Sequence, residues 1–123
     1  MKKKVLIVDD EEDILTSVAM LINNMGYEAK TANNGKKALE MLKKQKFDLV
    51  LLDILMPGIS GREVLENIRE YPKLKNQKAA FLTVVKLSEY GRDIMKKKLK
   101  PVDYFQKPIN VSDFRRRIKK ILG

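Results

Sequence analysis

The chain contains no cysteine and no histidine. Without cysteine there is no disulfide framework and no thiolate chemistry. Without histidine there are no imidazole metal ligands, and histidine acid–base catalysis is excluded. Long hydrophobic runs are missing too. After "MKKK" the first apolar stretch is only Val5 to Val8 before "DDEED", too short for a signal peptide or a membrane span. The sequence is therefore expected to be cytoplasmic and to make no use of a membrane. Its 123 residues suit a single domain with a real core, so residues 1–123 are read as one unit, with Gly123 a natural stop after the last helical pattern.

What is plentiful is lysine. The formal charge is +10, and residues 86–123 hold 12 Lys or Arg against 4 acids. Against this basic background stands one acidic cluster, "DDEED", at residues 9–13. Runs such as "KKKLK" (96–100) and "RRRIKK" (115–120) raise the question of nucleic acid. No helix-turn-helix, RNA-binding motif or interleaved aromatic residue accompanies them. Arg115, Arg116 and Lys119 fall between the apolar positions of a helix, which makes them its solvated outer face or a surface for an acidic partner.

Two kinds of segment alternate along the chain. Apolar, β-favouring runs occur at Val5–Val8, Leu49–Leu52 and Ala79–Val85, with weaker ones at Glu28–Ala32 and Val102–Phe105. Between and after them lie five stripes of helical spacing. The first, Ile14 to Met25, closes on Gly26. The second holds Ala38, Leu39 and Leu42, and the third Val64, Leu65 and Ile68. The fourth, weaker, holds Tyr90, Ile94 and Met95. The fifth runs from Val111 through Phe114 and Ile118 to Leu122, with Asn110 or Ser112 as its cap. Continuous apolar strands imply burial on both faces, so the expected fold class is α/β, a doubly wound five-stranded parallel sheet with five helices.

In such sheets ligands bind outside the carboxyl ends of the strands. Those ends carry Asp9 and Asp10, then Asp53, Thr83 and Lys107. Asp53 is the odd residue of "DLVLLDILMPGISG", a carboxylate inside an apolar run where an unpartnered charge is costly. At an effective dielectric near 20, each pair of like charges at about 4 Å costs about 4 kcal/mol. A hard divalent cation relieves that repulsion, and a site of carboxylates alone favours Mg²⁺. Lys107 offers a point charge for a phosphate oxygen and Thr83 a hydroxyl. An aspartate can attack phosphorus to form an acyl phosphate, and Asp53, central and flanked, is the best-placed nucleophile.

The sequence resembles the receiver (CheY-like) domain of two-component response regulators. The resemblance rests on "VLIVDDEEDI", "DLVLLDILMPGISG", "FLTVV" and "DYFQKPI", in register over essentially the whole chain. It implies a flavodoxin-like strand order 2-1-3-4-5 and a single receiver domain without a separate enzymatic activity, working as monomer or weak dimer. It implies that Asp53 accepts a phosphoryl group from a sensor histidine kinase or phosphotransfer protein. Asp10, Asp53 and the Leu55 carbonyl would bind Mg²⁺ directly, with Asp9 acting through water. Lys107 would contact the acyl phosphate, while Thr83 and Tyr104 would switch position and a Lys107–Pro108 cis bond would shape the rim. A downstream protein, such as a chemotaxis or phosphorelay component, would read the face of the fourth helix, fifth strand and fifth helix.

Some positions depart from the family pattern. Val84 stands where a small residue is usual, and Leu55 and Val85 replace polar groups that orient water, so the phosphoryl group is expected to hydrolyse slowly. Lys100 stands in place of a glycine and precedes Pro101. A phosphatase with an aspartyl-phosphate intermediate commonly needs a second acid near its nucleophile, and the position two residues after Asp53 is leucine.

Overall fold

In the computed structural model, which describes residues 2–89 and 99–123, the apolar runs pair into one parallel sheet. Its strands are β1 (Lys4–Val8), β2 (Glu28–Ala32), β3 (Leu49–Leu52), β4 (Ala79–Thr83) and β5 (Asp103–Gln106), in the order β2-β1-β3-β4-β5. Alternate side chains of β1 enter different cores. Leu6 and Val8 join Val50, Leu52 and Phe81 on one face, and Val5 and Ile7 join Leu49, Leu51, Leu82 and Phe105 on the other. All four residues of β3 are buried, as a strand covered on both faces requires.

The covering helices start at specific caps. Helix α2 (Gly35–Lys44) begins where Asn34 accepts the Lys37 N–H, and α3 (Gly61–Glu70) has a full capping box between Ser60 and Glu63. The C-terminal helix α4 (Val111–Leu122) is capped by Asn110 rather than Ser112. Helix α1 (Glu12–Asn24) lacks a side-chain cap, but Glu12 and Asp13 in its first turn favour the helix dipole. Gly26, at φ 93°, follows it in the left-handed conformation that only glycine adopts freely. The residues of α2 and α3 pack on the Leu6 face, those of α1 and α4 on the Val5 face. The fourth expected stripe (Tyr90, Ile94, Met95) lies outside the described residues, and no described helix is long and apolar enough to cross a membrane.

Two strand ends differ from the apolar pattern. The run Ala79–Val85 pairs only as far as Thr83; Val84 turns out to solvent, 55% exposed, while Val85 folds back onto the core. Strand β5 begins and ends one residue later than the apolar run: Val102 is exposed, and Gln106 still pairs with Thr83. Lys100 takes φ 48°, the conformation for which its glycine counterpart is suited. The Arg69 guanidinium holds that turn, donating to the carbonyls of Leu99 and Lys100, and also to those of Lys75 and Gln77.

Gly61 is needed for space. A Cβ there would lie 1.9 Å from the Asp53 carbonyl oxygen, so the start of α3 is pressed against the end of β3. Gly61→Ala is expected to cost about 3 kcal/mol, the upper end of overpacking penalties. Urea unfolding checks this, and an unchanged midpoint would show that the turn yields.

Candidate functional site

The parallel register fixes where the polar residues meet. Val8 is level with both Leu52 and Ala32, and Thr83 with Gln106. The residues that follow those ends therefore share one rim. Asp9 and Asp53 are buried there, Thr83 is fully enclosed, and Asp10 is exposed. Lys107 joins them across the sheet: its Nζ donates to Asp9 Oδ2 at 2.6 Å and to Asp53 Oδ2 at 3.4 Å. The Lys107–Pro108 peptide bond is cis, as the resemblance implied.

The backbone contributes as well. The Glu11 N–H donates to Asp9 Oδ1 at 2.9 Å, and the Leu55 N–H donates to Asp53 Oδ1 at 3.3 Å. Burial pushes the Asp53 carboxyl above its ordinary pKa. The Thr83 hydroxyl, the Lys107 ammonium and the Leu55 N–H work against that rise, while the Asp9 charge adds to it. For Lys107, burial works against the charge, but hydrogen bonds and attraction to Asp9 and Asp53 outweigh it and raise its pKa. The net effect is a carboxylate reluctant to ionise beside a firmly charged ammonium.

Asp9, Asp10 and Asp53 each present a carboxylate oxygen, all within 4.8 Å of one another. Three carboxylates face one ammonium, so the rim is short of positive charge. The set is all oxygen, in a chain without histidine or cysteine. It can hold a metal ion, and its chemistry fits a hard divalent cation.

Every site residue expected from sequence except Tyr104 lies on or next to this rim. Tyr104 sits one layer in, half-buried on β5, its ring 5.9 Å from that of Phe81. Its hydroxyl donates to the Val85 carbonyl at 2.5 Å, and the Val85 N–H donates to Thr83 Oγ1 at 3.4 Å. Both expected switch residues thus touch one peptide segment, and Val85 links them. From residue type Val85 is the end of the apolar run Ala79–Val85 and a group flanking the site; a backbone role leaves no mark there. Lys107 was expected to contact a phosphoryl group, and here its shorter bond is to Asp9.

Residues 5–119 match the family model for the response regulator receiver domain. The chain belongs to this family. It is 33% identical to sporulation initiation phosphotransferase F of Bacillus subtilis, over 99% of this chain and 95% of that protein. It is 34% identical to the alkaline phosphatase synthesis transcriptional regulatory protein PhoP of the same organism, covering 99% of this chain but only 49% of PhoP. The chain therefore spans about half of the length of that regulator. Among solved structures it resembles response regulator TrrA of Thermotoga maritima, solved in complex with Mg²⁺–BeF. The TM-score is 0.84 and the identity 38%, over 98% of this chain and 99% of that one. The receiver domain is a signalling switch of two-component systems, which meets histidine kinases or phosphotransfer proteins and downstream targets.

The raised pKa of Asp53 has a consequence for this receiver domain. A carboxyl whose folded pKa exceeds its unfolded one stabilises the fold below the unfolded value, and that contribution is lost as pH rises through the folded value. Asp53→Asn, which cannot ionise, is therefore expected to melt higher than the native protein at neutral pH in metal-chelating buffer. The gap should open as pH rises through the raised Asp53 pKa and then stay constant. A variant that melts lower throughout would contradict this.

Proposed function

We propose that residues 1–123 act as one phosphorylation-controlled receiver module, in which Asp53 accepts the phosphoryl group. The observation that carries this reading is the meeting of Asp53, Asp9 and Lys107 at neighbouring strand ends, with Lys107 Nζ bonded to both carboxylates. In the reaction an Asp53 oxygen attacks phosphorus of a phosphohistidine on a sensor kinase or phosphotransfer protein. The P–N bond breaks and its electron pair stays with the ring, which leaves as neutral imidazole because its other nitrogen carries a proton. Lys107 moves from shared bonding of two carboxylates to a phosphoryl oxygen, and Thr83 supplies a hydrogen bond to another.

Asp9, Asp10, Asp53 and the Leu55 carbonyl would hold Mg²⁺, and the Mg²⁺–BeF complex of TrrA supports the choice of ion. Bound there, it supplies positive charge against developing negative charge on the transferred group. Thr83 and Tyr104 form the switch, and Val85, bonded to both side chains, carries the change between them. A few kcal/mol suffices to shift such a two-state packing. A downstream protein reads a face that includes β5 and α4, in a cytoplasmic pathway.

Leu55 and Val84 are both more than half exposed at the rim, at 54% and 55%; the Leu55 side chain, like that of Val85, cannot hydrogen-bond a water molecule into line with phosphorus, and the β-branched Val84 narrows the path to Asp53. The module acts by a slowly decaying phosphoryl group and not by turnover of a substrate. With acetyl phosphate, incorporation is expected to require Mg²⁺ and to vanish in Asp53→Asn; equal incorporation in both proteins would overturn the assignment. The bound phosphoryl group should persist for minutes or longer, and Leu55→Asn combined with Val84→Ala should shorten its life. Loss within seconds from the native protein would refute the slow-decay reading.

A further inference from the structure

The end of the sheet opposite Asp53 carries charge of the other sign. The connections that enter the strands there are rich in lysine, and some of it has structural work. Lys3 and Lys78 donate from their ammonium groups to the carbonyls of Leu122 and Ile121 at the end of α4. Lys43, Lys44, Lys46 and Lys73 are different. All four are exposed and none has a carboxylate partner among the described residues.

These four lysines border a cleft of about 490 Å³ between the connections α2–β3 and α3–β4. Its floor is apolar, formed by Leu42, Phe47, Leu74 and the half-buried ring of Tyr71, over which Lys43 sits at 5.0 Å. Asp48, the one acid in the lining, has its carboxylate engaged by the Lys4 N–H at 2.8 Å. The cleft is thus a hydrophobic hollow bordered by four lysines against one carboxylate.

We infer that this cleft is a docking site for an acidic segment of a partner protein, with one aliphatic or aromatic side chain as its anchor. The apolar floor rewards burial of such an anchor, and the lysine rim attracts and orients the carboxylates around it. A nucleic-acid backbone would make no use of the floor. The exposed cations are also all lysine, whereas Arg69, the nearby arginine suited to forked phosphate contacts, is turned inward onto four carbonyls. The cleft lies at the other end of the strands from Asp53, so an occupant leaves the phosphorylation rim open.

The probe is a dye-labelled synthetic peptide of about twelve residues, with a central Phe-Leu pair between runs of glutamate, titrated by fluorescence anisotropy at physiological salt. Charge reversal at Lys43 and Lys46 together is expected to weaken binding about tenfold. Reversal at the exposed Lys36 and Lys37 should change it by less than about twofold, since those charges sit in the first turn of α2, about 10 Å along the helix from Lys43 and so about a Debye length away. Thermal unfolding of each variant checks the fold. An all-glutamate peptide should bind more weakly than the anchored one. Equal losses in the two double variants, equal binding of the two peptides, or no binding would overturn the proposal. So would tighter binding of duplex DNA or anionic vesicles that depends on the same two lysines.

Discussion

One ammonium group makes the rim of this sheet tenable. Asp9 and Asp53 are both nearly inaccessible, and buried carboxylates without a counter-charge cost several kcal/mol each. Lys107 reaches both, from a strand two places away in the sheet order from β3. It can do so because the strands are parallel and β5, like β4, runs two residues past the level at which β3 ends. The charge is not fully balanced: Lys107 bonds Asp9 and Asp53, and with the exposed Asp10 these carboxylates form a set that could hold a metal ion.

Much of this was legible in the residues because burial and topology act on residue type. Val5–Val8 and Leu49–Leu52 could only be strands covered twice, and that alone sends Asp9 and Asp53 to the carboxyl end. For the last helix, Asn110 and Ser112 both offer a capping side chain, and the structure uses Asn110. What the sequence hides is backbone and conformation. Val85 reads as an extension of β4, yet its peptide groups leave the sheet and bond to Thr83 and Tyr104. Arg117 lies in the basic run 115–120 but is not among the residues read as its outer face, Arg115, Arg116 and Lys119. It lies over the Phe105 ring and bonds Asp103, Asp113 and the Tyr104 carbonyl, because its place on α4 faces β5 and not water. Lys100 looked like a departure from pattern, but it keeps the left-handed turn that the pattern's glycine serves.

The same geometry separates charge along the molecule. A sheet with apolar side chains on both faces has only its two ends for ionised groups, and here one end gathers acids while the connections at the other gather lysine. The two ends therefore present different chemistry to different visitors. One end is a rim short of cations, and the other has cations to spare. This division requires no second domain, only strands that all run the same way.

Arg69 gives the fold a mechanical property. Its guanidinium bonds carbonyls at residues 75 and 77 before β4 and at residues 99 and 100 before β5, and among the described residues no carboxylate competes for it. Two connections far apart in sequence are thus riveted to the end of α3 through one planar group. Neither can slide without breaking bonds to the guanidinium that also holds the other. Strain arriving at the turn around Lys100 is felt at the entrance to β4, the strand that ends in Thr83.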